Sequence, residues 1–384
     1  MEKTLFLSMK KIKLRTILVG LLFVQLLLIQ ITATYPLFIE TYYSNGIYPY
    51  IAQFWRGMLG WIPFSIGDIF IFTLIYLLIK SIFRLFKKKV SFKNVLLNGL
   101  AWASVLLFFF YINWGFNYFR VPLSEKLNHS IKEYTNTELE TLAIYLVQKT
   151  NSLQLELTGK DSLKVVVPYN YTELYNMAPK GYQTIKNNYP FLAYQTPSIK
   201  NSLMSTFQSY IGVGGYLNPI SGEAHVNING VKTSAPNTIS HEMAHQIGYA
   251  AENEAEFIGF LASTHHPDTF FKYSGYKNAM LHSVFEMKRR DTVIFKRLLK
   301  QLNTGIKKDL EDNRAMYLKY KNPFEPYVKK GYNLFLKSNK QKHGIHSYNR
   351  MVLLLINYYA QNEVIKHKEQ TPAKKESIEA TLHS

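Results

Sequence analysis

The chain has no cysteine among its 384 residues, which excludes disulfides and thiolate metal sites. Any ion it binds must be held by His, Asp or Glu. Acids are also few, 26 against 45 Lys and Arg, for a formal charge of +19. Such a charge invites a nucleic-acid reading, but no recognition module accompanies it. Residues 1–119 carry 12 Lys and Arg against 3 acids, leaving 33 against 23 for the remainder. In the first third the cations flank apolar runs and act as topology signals; further on they are spread like a solvated basic surface. No nucleic-acid partner is expected.

What the chain has in excess is apolar length, with 47% hydrophobic and 15% aromatic residues. Three runs suit a hydrocarbon core of about 30 Å: Thr16 to Thr34, Ile66 to Phe83 and Val95 to Ile112. The segment 35–65, with Pro36, Pro49, Gly57, Gly60 and Pro63, is too broken to span, and its Tyr and Trp residues suit an interfacial loop. Asp68, at the edge of the second run, reads as solvated. Cations gather before the first run (Lys3, Lys10, Lys11, Lys13, Arg15) and after the second (Lys80, Arg84, Lys87, Lys88, Lys89, Lys93), whereas the loop between has only Arg56. Basic loops stay in the cytoplasm, so the N-terminus is expected inside and everything after Trp114 outside, at a bacterial cytoplasmic membrane. The lipid bilayer is then one partner. The anchor is placed at 1–119, a distal domain at 120–362 and a disordered polar tail at 363–384.

The distal part mixes periods. Thr135 to Lys149 is helical in spacing, Leu163 to Val167 reads as a short strand, Tyr171 to Asn187 as a returning helix and Ser198 to Tyr210 as a strand. A glycine-rich loop from Gly212 to Gly222 precedes Ala224 to Asn229, which alternates strictly and predicts a half-buried strand with His225, Asn227 and Asn229 facing outward. That strand could hold an extended substrate, or be an ordinary hairpin strand. Met351 to Tyr359 is too short for a fourth span and predicts a packed helix.

The chemistry lies in Thr238-Ile239-Ser240-His241-Glu242-Met243-Ala244-His245-Gln246-Ile247-Gly248, an H-E-x-x-H motif on an expected helix started near Ser234, Pro236 and Asn237 and stopped by Gly248. Residues four apart share a helix face, so His241 and His245 can direct two imidazole nitrogens at one ion. Glu242 sits beside the same point, able to take a proton from a water acidified by the ion and pass it to a leaving amine. Ile239, Met243 and Ile247 lie on the opposite face and pack. The third ligand should be a nitrogen or a carboxylate. Glu252, Glu254 and Glu256 open a second helix after the Gly248 turn; Glu252 and Glu256 share a face, so one could bind metal while the other accepts from a ligating His. His265 and His266 at the end of that helix read as caps. Tyr273, Tyr276 and His282 are possible oxyanion donors, none of them singled out by the sequence.

The E-x-E-A-[DE] arrangement resembles the third-ligand helix of gluzincin membrane proteases, in which the first Glu ligates; that likeness selects Glu252, ahead of Glu254 and then Glu256. The metzincin start is also similar, but Ala251 stands where its third His would be. The chain further resembles domain-of-unknown-function family 3810, multi-pass membrane proteins with an H-E-x-x-H motif. The likeness rests on Trp114-Gly115-Phe116-Asn117-Tyr118-Phe119-Arg120, Gly215-Tyr216-Leu217-Asn218-Pro219, Gly222-Glu223-Ala224, the motif itself, Glu252-x-Glu254-Ala255-x-Phe257, Tyr273-Ser274-Gly275-Tyr276 and Ser347-Tyr348. The family more often has Asn in place of Glu256, which argues against that residue as a ligand. The expected fold is three N-terminal transmembrane helices followed by an α+β zincin-like domain, mostly helical with a small mixed sheet. The expected function is a membrane-anchored zinc metallopeptidase with ligands His241, His245 and Glu252 and general base Glu242, acting on peptide or protein substrates in the cell envelope. Alternatives are an inactive zinc-stabilised scaffold or binding protein, or an amide hydrolase acting on wall material.

Overall fold

The computed structural model of the chain describes residues 2–127, 133–339 and 350–361, so the tail expected from 363, together with Ser347 and Tyr348, lies outside the described residues. The first helix, α1 (Glu2–Thr32), leads through Pro36–Phe38 and a π-helical stretch Ile39–Ile47 into α2 (Tyr48–Leu59); then come α3 (Ile66–Phe86) and α4 (Phe92–Asn113). Leu14–Thr32, α3 and α4 are each long and apolar enough to cross a membrane, with a mean hydropathy of 2.1. Ser65 and Ser91 start α3 and α4, their hydroxyls accepting from the amides of Asp68 and Asn94.

The segment 35–65, expected as a loop, is thus helical over 36–59 and irregular only over 60–65. Pro36 and Pro49 occupy the first turns of helices, where a missing N–H costs nothing. Nor do its aromatics all face lipid: Tyr43, Tyr48 and Ala52 are buried with Trp114, Phe119 and Ala250.

The distal part is mostly helical. Its frame is α5 (Asn136–Thr158), α6 (Ser205–Ile211), α7 (Ala235–Gln246), α8 (Glu252–Thr264), α9 (Thr269–Arg290), α10 (Glu325–Ser338) and α11 (Arg350–Gln361). A capping box between Thr135 and Glu138 starts α5. Leu139, Leu142 and Leu146 of α5, Ile239 and Met243 of α7, Phe257 and Leu261 of α8, Met280 of α9 and Leu355 of α11 meet in one core. The packed face expected for the motif helix is thus present, and Met351 to Tyr359 is the packed helix expected.

A three-stranded sheet of β1 (Ile199–Asn201), β2 (Gly215–Leu217) and β3 (Ala224–Val226) has the order β1-β3-β2, with β1 parallel and β2 antiparallel to β3. Four expectations change here. Leu163 to Val167 is not a strand: Val165 and Val167 are buried and Val166 exposed, but it has no ladder, and the Leu163 carbonyl accepts from Gln154 Nε2 at 2.6 Å instead. Tyr171 to Asn187 is two short helices, Tyr171–Met177 and Pro179–Ile185, broken at the proline. The strand from Ser198 ends at Asn201, because Asp68 Oδ2 accepts from Leu203 N at 2.7 Å and from Ser202 Oγ at 3.2 Å, and the chain turns there into α6. Finally, β3 is central and buried on both faces, so it offers no edge to a substrate.

The polar face of β3 is covered by the start of α3. His225 is fully buried, its Nε2 2.7 Å from Ser65 Oγ; Glu223 Oε2 accepts from Gly67 N at 2.6 Å, and Lys200 Nζ reaches Glu223 Oε1 at 2.5 Å. Asp68, read as solvated, is fully buried and accepts from the Tyr216 hydroxyl. A second junction joins Arg120 to Glu40 through two hydrogen bonds of 3.0 and 2.9 Å, with Lys126 also on Glu40.

Burial opposes ionisation of Glu40 and Glu223, but their cationic and hydrogen-bonding partners outweigh it, and both carboxyls fall from 4.5 to about 2. A carboxyl depressed in the folded state contributes stability that is complete above the unfolded value and is lost as pH falls through the folded one. Thermal stability of the detergent-solubilised protein should therefore drop as the pH is lowered from 4.5 towards 2, and Glu40→Gln should flatten that dependence. An unchanged pH profile in Glu40→Gln would contradict the assignment.

Candidate metal centre

The motif helix α7 has almost no solvent contact: Ala235 to Asn237 and Ile239 to Gln246 are all buried. A buried helix must still satisfy its terminal carbonyls. Here side chains from the first 120 residues do so. Trp114 Nε1 donates to the His245 carbonyl at 2.9 Å, Tyr48 Oη to that of Gln246 at 2.9 Å and Arg120 Nη1 to that of Gly248 at 2.8 Å. Gly248 turns the chain at φ 87°, and a Cβ there would stand 2.9 Å from Asn117 Oδ1 and from the Tyr48 ring. The Gln246 side chain extends the joint to the sheet, donating to the carbonyls of Ser198 and Gly222 at 2.8 Å each.

Past the turn, α8 folds back onto α7. Gly259 permits the approach, since a Cβ on it would lie 3.0 Å from the backbone nitrogen of His241. The packing separates the three acids of α8. Glu252 Oε2 lies 3.3 Å from His241 Nε2 and 3.7 Å from His245 Nε2, and the two Nε2 atoms are 3.1 Å apart. Glu254 turns away and accepts from Leu123 N at 2.8 Å. Glu256 Oε2 stands 2.8 Å from Nδ1 of His241, and its other oxygen accepts from Asn278 and Asn237 and is 3.6 Å from His282 Nε2.

These partners fix which ring nitrogen faces inward. The Tyr249 carbonyl, 2.7 Å from His245 Nδ1, can only accept, and the negative charge of Glu256, 2.8 Å from His241 Nδ1, favours a proton on that nitrogen. With a proton on each Nδ1, both Nε2 lone pairs would converge beside a carboxylate oxygen, an arrangement suited to a cation. Donor atoms ~2.0–2.2 Å from a tetrahedral ion stand roughly 3.3–3.6 Å from one another. The observed 3.1, 3.3 and 3.7 Å straddle that range, each within about 0.2 Å of it. His241, His245 and Glu252 could therefore hold a metal ion.

A cavity of about 680 Å³ opens on this group, bordered by Glu242, Glu252, His282, Tyr332 and Trp114 among others. Glu242 is buried, and its Oε2 has no hydrogen-bond partner among the described residues. Burial raises its carboxyl to about 7 against the pull of the two imidazoles. On His241, burial is opposed by Glu256 and Glu252, which raise it well above its ordinary value. For Glu252 burial is outweighed in the other direction, and the two imidazoles beside it hold it well below the carboxylate range.

Of the candidate oxyanion donors, only His282 borders the cavity; Tyr273 is buried against Asp309, and Tyr276 packs on Phe260. His265 and His266 face the carbonyls of Leu261 and Met177, away from the group. Tyr332, whose hydroxyl donates to Glu252 Oε1 at 2.6 Å, carried no sequence signal. Asn278 did have one, lying four residues before His282 on the same face of α9.

The family model described as protein of unknown function (DUF3810) matches residues 43–356, and the chain belongs to that family. No curated protein and no solved structure matches it.

If Glu256 orients His241, Glu256→Gln should weaken metal binding by about 10–100-fold in chelator competition on the full-length protein. Glu252→Ala should lose more, and Glu254→Gln should leave affinity unchanged. Equal losses for Glu252→Ala and Glu254→Gln would contradict the ligand assignment.

Proposed function

We propose that the chain is a membrane-anchored, zincin-like metallopeptidase whose ligand set is of the gluzincin kind, His241, His245 and Glu252. The observation that carries this reading is the buried Glu242 oxygen without a partner, standing in a cavity next to three converged donor atoms. An all-nitrogen-and-oxygen set of three ligands suits zinc with one position left for substrate or water. Zinc bound there would supply Lewis-acid polarisation and a lowered water pKa.

The chain's own residues do the rest. Glu242, held close to neutral pH by burial, takes the proton of the attacking water and returns it to the leaving nitrogen. Glu256 and the Tyr249 carbonyl keep both imidazoles in the tautomer that presents Nε2. Tyr332 steadies Glu252 from the far side of the cavity, and His282 faces the same space as a donor for developing oxyanion charge. Strand β2, paired only to β3, borders the cavity and offers its free edge to an extended peptide. This role passes to β2 from the central strand β3. The cationic flanks 3–15 and 80–93 support an N-terminus in the cytoplasm and a catalytic part outside.

Glu242→Gln should lower peptide hydrolysis by about 10²–10⁴-fold, the worth of a general base, while one metal ion per chain is retained. The assay is mass spectrometry of products from a peptide library, with metal content measured on the same preparation. Full activity in this variant would remove the mechanism.

A further inference from the structure

Two helices, α6 and α10, border the cavity and are also joined to the ends of α3 and α4. These spans are joined by the short turn 87–91, so the start of α3 and the end of α4 lie at the same end of the pair. The turn leading into α6 is hydrogen-bonded to Asp68 in the first turn of α3, at Leu203 N and Ser202 Oγ. The far end of α10 is held to the last turns of α4, where Tyr111 donates to Asn339 at 3.1 Å and Phe110 meets Phe335 edge to face. One end of each helix is thus tied to the ends of the spans.

Each turns an apolar stripe outward. On α6 and its lead-in, Leu203, Phe207 and Tyr210 follow helical spacing and are exposed, Phe207 by 60%. On α10, Tyr327, Leu334 and Phe335 do the same, Tyr327 by 75% and Leu334 by 60%, with Lys330 and Lys337 exposed at the flank. Such stripes in water are unfavourable at roughly 25 cal/mol per Å². A helix with an apolar stripe and flanking lysines is the pattern of one lying in a membrane interface. Phe207, Val328 and Phe335 also border the cavity, so the same residues face outward and rim the way to the metal ligands.

Resting on the peptidase reading above, we infer that α6 and α10 form a lip seated in the outer leaflet, and that the cavity takes its substrate from the bilayer, a polypeptide with a membrane-held apolar segment cut next to that segment. The exposed stripe of α10 meets the end of the apolar helix α4 through the Phe110–Phe335 contact. The cavity wall nearest the spans is aromatic, with Phe110, Trp114 and Tyr118, and accommodates apolar side chains. Opposite lies the edge of β2, whose backbone groups match a peptide and would gain nothing from an acyl chain.

The absence of cysteine makes a single introduced thiol a unique label site. Nitroxides on Leu203→Cys and Tyr327→Cys, in full-length protein in phosphatidylcholine vesicles, should collide with oxygen in preference to a water-soluble nickel chelate, as a label on lipid-facing Leu78→Cys does. Values matching a label on exposed Lys160→Cys would overturn the lip, whatever the enzyme's activity. The substrate is tested with mixed-sequence decapeptides fused to an apolar span of about twenty residues, against the same decapeptides free in solution. Confinement to the membrane should favour the fused peptides by at least about tenfold, with cuts next to the span. Equal or preferential cleavage of the free peptides overturns the substrate class and leaves the peptidase reading standing. Cleavage of a fatty-acyl amide in place of either peptide overturns it in favour of a lipid. Cleavage of nothing by the metal-loaded protein overturns the substrate class together with the peptidase reading, while the nitroxide result still decides the lip.

Discussion

The arrangement depends on burying a helix that carries two imidazoles and a carboxylate. α7 lies in the core, so its last carbonyls and its polar side chains must find partners inside the protein. Unmet, each costs about 1–3 kcal/mol. Trp114, Tyr48 and Arg120 supply the donors, and all three come from the part of the chain that includes the spans. Arg120 is in turn held by Glu40, so the end of the motif helix is fixed through an ion pair to the segment following the first apolar helix. Spans and site are one structural unit for this reason.

Within that frame the electrostatics favour a cation. Glu252 and Glu256 are held ionised by their imidazole contacts, Glu252 well below its ordinary range and Glu256 also depressed. Glu242, with no such partner for Oε2, is raised by burial, as is Glu254 outside the cluster. Three acids in one buried cluster are thus given different tasks by their contacts. One faces the converged lone pairs, one supports a ring nitrogen, and one stays close to neutral pH beside the cavity. Glu254, two residues from either neighbour on α8, falls outside the cluster because helix geometry turns it towards Leu123.

Much of this was legible along the chain. Period and spacing placed the three apolar helices, the motif helix with its packed face, and Glu252 with Glu256 on one side of the next helix. These are local properties. What could not be read depended on partners distant in sequence. Asp68 looks like a residue at a membrane edge until Leu203, Ser202 and Tyr216 close over it, and His225 looks solvent-facing until Ser65 covers the sheet. The same contacts end the strand that Ser198 to Tyr210 had suggested. Tyr332 enters the site from a helix 80 residues past Glu252 and carries no motif. Leu163 to Val167 shows the converse, a β-branched run that buries Val165 and Val167 in the core without joining a sheet.

The outward stripes of α6 and α10 gain their meaning from the same joints, since Asp68 and Tyr111 hold both helices against the ends of the spans. On the proposed reading, a buried cluster opening through an apolar rim serves chemistry at a bilayer surface. The claim on which all of it rests is the metal centre. Zinc K-edge X-ray absorption on the full-length protein tests it directly: the account predicts a four-coordinate ion with two imidazole nitrogens and light-atom distances of about 2.0–2.1 Å. A spectrum without imidazole backscattering, or one of a six-coordinate hydrated ion, would contradict it.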